Sequence, residues 1–187
     1  PQISNTVNAE KRATAQIEIT KPAERTQIYI ERINVSGTPG AEKINAQLKQ
    51  WETEFLKSHD QASSKQSLSV SYNLHLIQPG VLSITMGTSF ANRGGQPIGG
   101  LRGATFNTQT GELLNLEQLL QWDNEMRQKA NRVINQQIQE KQIPLLSREA
   151  VQIKPSQNFY LKPDGIVVFF FQKYEIAPGS MGTISFE

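Results

Sequence analysis

The chain has 187 residues, 37% of them hydrophobic, no cysteine and a formal net charge of +2. That size suits one domain or two small modules sharing a core. The missing thiols exclude disulfides, a cysteine nucleophile and cysteine-ligated zinc, and with no basic run longer than two residues nucleic acid is not an expected partner.

No apolar run approaches the roughly 20 residues of a membrane helix, so no span is expected within this stretch. The chain starts at Pro1 rather than Met, which reads as a mature or trimmed fragment from which a signal peptide or anchor has been cut. Residues 1–12 are polar and read as a lead-in. Ile17 and Ile19 then share one face of an expected strand ending at Thr20. From Gln27 to Asn34, Ile28 and Ile30 face one way and Gln27, Tyr29 and Glu31 the other, the alternation of a half-buried strand. Thr38-Pro39 has the chemistry of a helix start, with Thr38 as the cap. Ala41, Ile44, Leu48, Trp51 and Phe55 follow at spacings of three and four and form one apolar stripe.

A polar linker leads to the clearest hairpin. Leu68, Val70, Tyr72, Leu74 and Leu76 alternate with polar residues, Pro79-Gly80 turns the chain, and Leu82, Ile84 and Met86 alternate on the return. Gly94 to Gly100 reads as a loop, and Leu101 to Thr108 as a strand. Asn115 is placed to cap a short leucine-rich helix, and Asp123 a long one whose stripe is Met126, Ala130, Val133, Ile134 and Ile138. Phe159 to Leu161 is a short expected strand, and Lys162 to Gly165 a turn. Ile166 to Phe171, apolar at every position and rich in β-branched and aromatic residues, is expected to be an interior strand covered on both faces. Thr183 to Phe186 resumes as a strand after the turn at Pro178-Gly179. Hairpin-linked strands with two main helices predict an α+β fold with mostly antiparallel sheet.

The stretch Phe170-Phe171-Gln172-Lys173-Tyr174-Glu175-Ile176-Ala177-Pro178-Gly179-Ser180-Met181-Gly182 resembles the F-x-x-Y-E-I-A-P-x-x-x-G signature of a C-terminal module. That module is found in RsiV-type anti-sigma factors, which sense lysozyme, and in PdaC-type peptidoglycan deacetylases outside their catalytic domain. Phe106 to Leu116 is similar to the same family's strand, Thr-Gly turn and leucine helix, and Thr26 to Phe55 to its companion N-terminal module. The resemblance implies a lead-in over 1–25, a PdaC-like module over 26–93 and an RsiV-like module over 94–187, or one integrated domain. Relatives often carry histidine soon after a Gly-Gly pair. Here Gly94-Gly95 leads to Gln96-Pro97, so no role for such a histidine carries over.

The candidate chemistry is sparse. His59 and His75 are isolated and read as solvated, whereas a zinc site needs three or four converging ligands. The glycines from Gly94 to Gly103 lack the Gly-Lys-Ser/Thr ending of a phosphate loop. Glu112, Glu117, Asp123 and Glu125 cluster only in sequence, and Asp164 belongs to a turn. Glu175 is the one acidic residue beside the apolar strand. Tyr174 is expected to cover the sheet with its ring while its hydroxyl bonds in the turn. The candidates for partner binding are Arg93 and Arg102, which flank the glycine loop and whose guanidinium groups suit carboxylates, with Met181 in the glycine-bearing turn from Ala177 to Gly182 and Tyr174 just before it. There is no deacetylase signature, neither Thr-Phe-Asp-Asp nor His-x-x-x-His, and neither a cofactor nor a catalytic metal is expected. With the resemblance, the expectation is a non-catalytic, extracytoplasmic bacterial cell-envelope domain that binds or senses a protein such as lysozyme or a cell-wall glycan. A cell-wall glycan hydrolase acting through a carboxylate such as Glu175, and a structural spacer, are the alternatives.

Overall fold

The computed structural model describes residues 14–21, 28–59, 66–92, 95–120 and 122–187. It is an α+β fold of three sheets and two main helices. Strand β1 (Gln16–Thr20) pairs antiparallel with β3 (Arg32–Ser36). A four-stranded sheet runs in the order β2 (Ile28–Ile30), β4 (Gln66–Gln78), β5 (Val81–Asn92), β6 (Ile98–Asn107), and only β2–β4 is parallel. A three-stranded antiparallel sheet runs β7 (Phe159–Leu161), β8 (Val167–Phe171), β9 (Ile184–Phe186).

The expected stripe of helix α1 (Ala41–Ser58) lies on one face of the four-stranded sheet. Ile44 and Leu48 are buried there among Val70, Tyr72, Leu82, Ile84 and Phe106, with Ala41, Trp51 and Phe55 packed at the margin. On the other side, α3 (Asn124–Glu140) lays Ile134 and Ile138 against Phe169, Phe171 and Phe186 of the second sheet. Two of the three caps read from the sequence are present. Asn115 Oδ1 accepts from Gln118 N to open the short helix α2 (Leu116–Leu119), and Asp123 Oδ1 accepts from Met126 N to open α3. The two sheets meet across β5, where Leu82 to Met86 are buried without a break. The leucine, isoleucine and methionine of that run face α1. Ser83 and Thr85 face the second sheet, where Leu161 N donates to Ser83 Oγ at 2.9 Å and His75 Nε2 lies 2.9 Å from Thr85 Oγ1.

Strand β8 is interior, as its apolar run predicts: β7 and β9 flank it, and Val168 to Phe171 are buried. Ile166 lies outside the strand and is 39% exposed.

Four local expectations are corrected. The single strand expected from Gln27 to Asn34 is two, β2 and β3, in different sheets, and Gln27 itself lies outside the described residues. The break is at Glu31, whose carboxylate turns inward and accepts from Tyr72 N at 2.8 Å and Tyr29 Oη at 3.1 Å. Thr38 does not cap α1. The helix starts after Gly40, which packs against the backbone of Gly111 and donates to Thr108 O at 2.9 Å, so a tertiary contact sets the boundary. The alternation of β4 fails at His75, because two steps from Leu74 to Leu76 oppose one step from Ile84 to Ser83. The bulge puts Leu76 opposite Ser83 and Ile77 opposite Leu82, while Leu74 is exposed; His75, on the face toward β7, is stacked on Tyr160 at 3.7 Å between centroids, so it is not the solvated histidine expected. Finally, β6 begins at Ile98, three residues before the strand expected at Leu101. Glycine hides a strand from pattern reading, yet Gly99 is where a side chain would run into the carbonyl of Thr88.

Two measurements check this arrangement. Replacing Phe169, buried and in contact with the Trp122 ring at 5.6 Å, by alanine is expected to destabilise the fold by about 3–5 kcal/mol in denaturant titrations. Burial and then the charge of Lys162 hold the His75 imidazole below its ordinary value. The unfolded chain therefore takes up a proton at higher pH than the folded one. Stability should fall as pH drops below about 6.5, the unfolded value, and the His75→Gln variant should show a flatter slope in the same window.

Candidate functional site

Where α1, the β5–β6 hairpin and the second sheet meet, the surface opens into a groove of about 570 Å³. Helix α1 supplies Trp51, Glu54, Phe55 and Ser58, one helical turn after another on the side the apolar stripe leaves at the margin. Met86 and Thr88 come from β5, Gly99 to Arg102 from β6, and Asn158 and Gln172 from the segments flanking the second sheet.

The floor is the outer edge of β6. Strand β6 ends its sheet, so alternate residues turn their backbone groups away from β5. The chain meets those groups itself. The amide of Gln172 bonds both sides of Leu101, accepting from its N–H at 3.0 Å and donating to its carbonyl at 2.5 Å. Asn158 Oδ1 accepts from Gly103 N at 3.2 Å, and Leu114 N donates to Thr105 O at 2.7 Å. Gly99 and Gly100 extend past this cover and are exposed. At the α1 wall, the guanidinium of Arg102 lies over Trp51, with Cζ 4.6 Å from the ring centroid, and Trp51 in turn lies 6.3 Å from Phe106. Glu54 accepts from Gln50 Nε2 at 2.8 Å. His59, after the last turn of α1, is held between Phe55 and Phe90 at 4.7 and 4.8 Å. It is therefore packed, not solvated as expected.

Of the four expected partner-binding residues, Arg102 is in the groove and Arg93 lies outside the described residues. Arg102 stands on β6, within the strand expected from Leu101. Tyr174 and Met181 lie apart from it on the turn after β8. Tyr174 does not cover the sheet: it is 67% exposed, has φ 66°, and its ring edge fills the space a side chain at Gly179 would take. Contact with a bare glycine backbone, inside its own turn, replaces contact with the sheet. Met181 is 43% exposed in the helical turn Gly179–Met181. Glu175 closes the same turn, accepting from Gln172 N at 2.7 Å with Lys154 Nζ 3.5 Å from its other oxygen. Among the described residues, no three His, Asp or Glu side chains gather as metal ligands.

The sequence reading missed Trp51, Glu54, Asn158 and Gln172. Trp51 sits at the edge of a helical stripe and so reads as core, and nothing near Asn158 or Gln172 in sequence signals that they meet β6.

With this geometry in view, the chain was compared with known proteins. Residues 108–187 match DUF3298, the family described as "Protein of unknown function (DUF3298)". The match begins directly after β6. Two solved DUF3298 structures share the fold. A member from Bacteroides fragilis superposes with a TM-score of 0.63 at 13% identity, covering 94% of this chain and 90% of that one. A DUF3298 protein from Pseudomonas aeruginosa gives 0.62 at 14% identity, covering 94% and 88%. No curated protein matches the sequence. No helix among the described residues is long and apolar enough to cross a membrane.

Replacing Gln172 by alanine should strip the cover from the part-buried edge at Leu101 and, with water able to replace the amide there, cost about 1 kcal/mol. Hydrogen exchange at the Leu101 amide should speed up selectively, while exchange at amides inside β5 stays unchanged.

Proposed function

We propose that this chain is a non-catalytic binding domain of the bacterial cell envelope, holding cell-wall glycan in the groove between α1 and β6. The make-up of that groove carries the reading. Trp51 and Phe55 give it aromatic surface, while Ser58, Thr88, Asn158, Gln172, Glu54 and Arg102 give it directional polar groups. A concave site with a few placed polar groups among aromatic ones suits a small rigid ligand, and sugars present both an apolar ring face and fixed hydroxyls. The acidic groups nearby are engaged in structure: Glu54 with Gln50, and Glu175 with the backbone of Gln172. That favours binding over the paired-carboxylate chemistry of glycan cleavage. The extracytoplasmic placement rests on the likeness of Phe170 to Gly182 to the RsiV-type and PdaC-type modules.

A protein ligand such as lysozyme is the second reading. It is favoured by the exposure of Tyr174 and Met181 on one turn, since aromatic and methionine side chains are common anchors at protein interfaces.

Titrating isotope-labelled protein with soluble cell-wall fragments, and separately with lysozyme, tests both. Glycan binding should shift the Gly99 to Arg102 amides and the Trp51 indole. Shifts confined to Lys173 to Gly182, and produced by lysozyme alone, would favour the protein reading. Glycan that leaves the groove signals unmoved would end the first reading.

A further inference from the structure

We infer that the groove selects an acidic sugar, a glycan unit bearing a carboxylate, and that Arg102 reads that carboxylate. The inference rests on the groove being the glycan site. Arg102 Cζ stands 4.6 Å from the Trp51 centroid, and no carboxylate pairs with it among the described residues. Stacking on an aromatic face fixes the guanidinium plane while leaving its N–H edge free to bind. Such a group is ordered before any ligand arrives, so little side-chain entropy is lost on binding.

The surroundings sharpen the choice. The acid in the groove, Glu54, is bonded to Gln50 at 2.8 Å and forms no salt bridge with Arg102 among the described residues. Gly99 and Gly100 on the edge of β6 put bare backbone beside it. A neutral sugar would offer the guanidinium only hydroxyl oxygens. A carboxylate offers two parallel charge-assisted bonds, roughly twice as strong as neutral ones. The Thr88 hydroxyl lies in the same groove for the ligand's hydroxyl or amide hydrogens. The volume of about 570 Å³ falls within the usual range for small-ligand sites, about 300–1,000 Å³, and has room for a disaccharide. Cell-wall glycan alternates a neutral N-acetyl sugar with one carrying an ether-linked carboxylate, which is the chemistry this arrangement fits.

The test compares two disaccharides alike except for that group: N-acetylglucosaminyl-N-acetylmuramic acid and chitobiose. The chain has two tryptophans, so in a Trp122→Phe background, with folding verified by circular dichroism, emission reports Trp51 alone. The acidic disaccharide should bind about tenfold or more tightly than chitobiose, a difference on the scale of one charged bidentate contact, and should change Trp51 emission. Arg102→Ala should abolish the preference, so that the two disaccharides bind with similar affinity, and Arg102→Lys should restore only part of it. Equal binding of both sugars with a Trp51 response would overturn the acidic selection and leave the groove as a glycan site. An acidic preference that survives Arg102→Ala would overturn the role of Arg102. N-acetylalanine, a carboxylate without a sugar, should compete poorly; if it displaces the disaccharide at equal concentration, the sugar half of the inference falls. Failure of both disaccharides to bind would end this inference and the glycan reading together.

Discussion

The rest of the structure depends on how closely β7 approaches the β5–β6 hairpin. Gly103 makes the approach possible, because any side chain there would run into the backbone of Phe159. The contact is then fixed by hydroxyls rather than by hydrocarbon. Ser83 Oγ accepts from Leu161 N and lies 2.9 Å from Thr105 Oγ1, and both side chains are buried. Burying hydroxyls is costly unless they are bonded, and here they are. Two apolar faces could slide past one another at small cost. A hydroxyl aimed at one backbone amide cannot, so this polar layer between two apolar cores sets the relative position of the sheets.

The groove follows from that position. With β7 seated over Gly103, Asn158 arrives at the edge of β6, and the chain leaving β8 brings Gln172 alongside Leu101. Gln172 then does what the peptide group of a neighbouring strand would do, bonding the N–H and the carbonyl of one residue. Covering an edge in this way protects it from pairing with other chains. The cover stops short of Gly99 and Gly100, and there the groove begins. The charges of α1 are arranged differently. Glu52, on the same helix as the groove residues Trp51 and Glu54, is buried and paired with Arg32 and Lys49. Burial alone would raise its carboxyl, but those two partners hold it below the ordinary range. Burial and the Glu52 charge push the neighbouring Tyr72 hydroxyl up to about 12. The salt-bridged region is thus committed to folding, and Arg102, stacked but unpaired among the described residues, is not.

What the sequence showed and hid divides along one physical line. Elements set by their own periodicity were legible: the apolar stripe of α1, the Ala130, Ile134 and Ile138 part of the α3 stripe (Val133, expected in it, is exposed), the β4–β5 hairpin, the Asn115 and Asp123 caps, and the β8 run. Elements set by a distant partner were not. Glu31 splits a strand only because the amide of Tyr72 is there to receive it, and Gly40 displaces the Thr38 cap only because the turn at Gly111 packs on it. His75 is covered only because Tyr160 of β7 stacks on it. The site lies on the illegible side of this line. Arg102 could be marked as an arginine near glycines, but its orientation depends on Trp51, 51 positions earlier in sequence.

That dependence bears on what the DUF3298 match describes. It starts at Thr108, after β6 has ended at Asn107. Of the groove's lining, the matched segment holds Asn158 and Gln172, while the aromatic wall, Arg102 and the glycine edge lie before it. The matched segment also takes β7, β8 and β9, whose first strand is positioned by Ser83 and Gly103 outside the match. Both solved DUF3298 structures cover 94% of this chain, so the shared fold reaches well beyond the matched residues. The segment from Thr108 onward therefore carries one wall of the groove, and the hairpin and α1 carry the other. A groove assembled from both requires the polar layer at Ser83 and Gly103 to be in place. The stability of that layer and the shape of the groove are in this way one property of the fold rather than two.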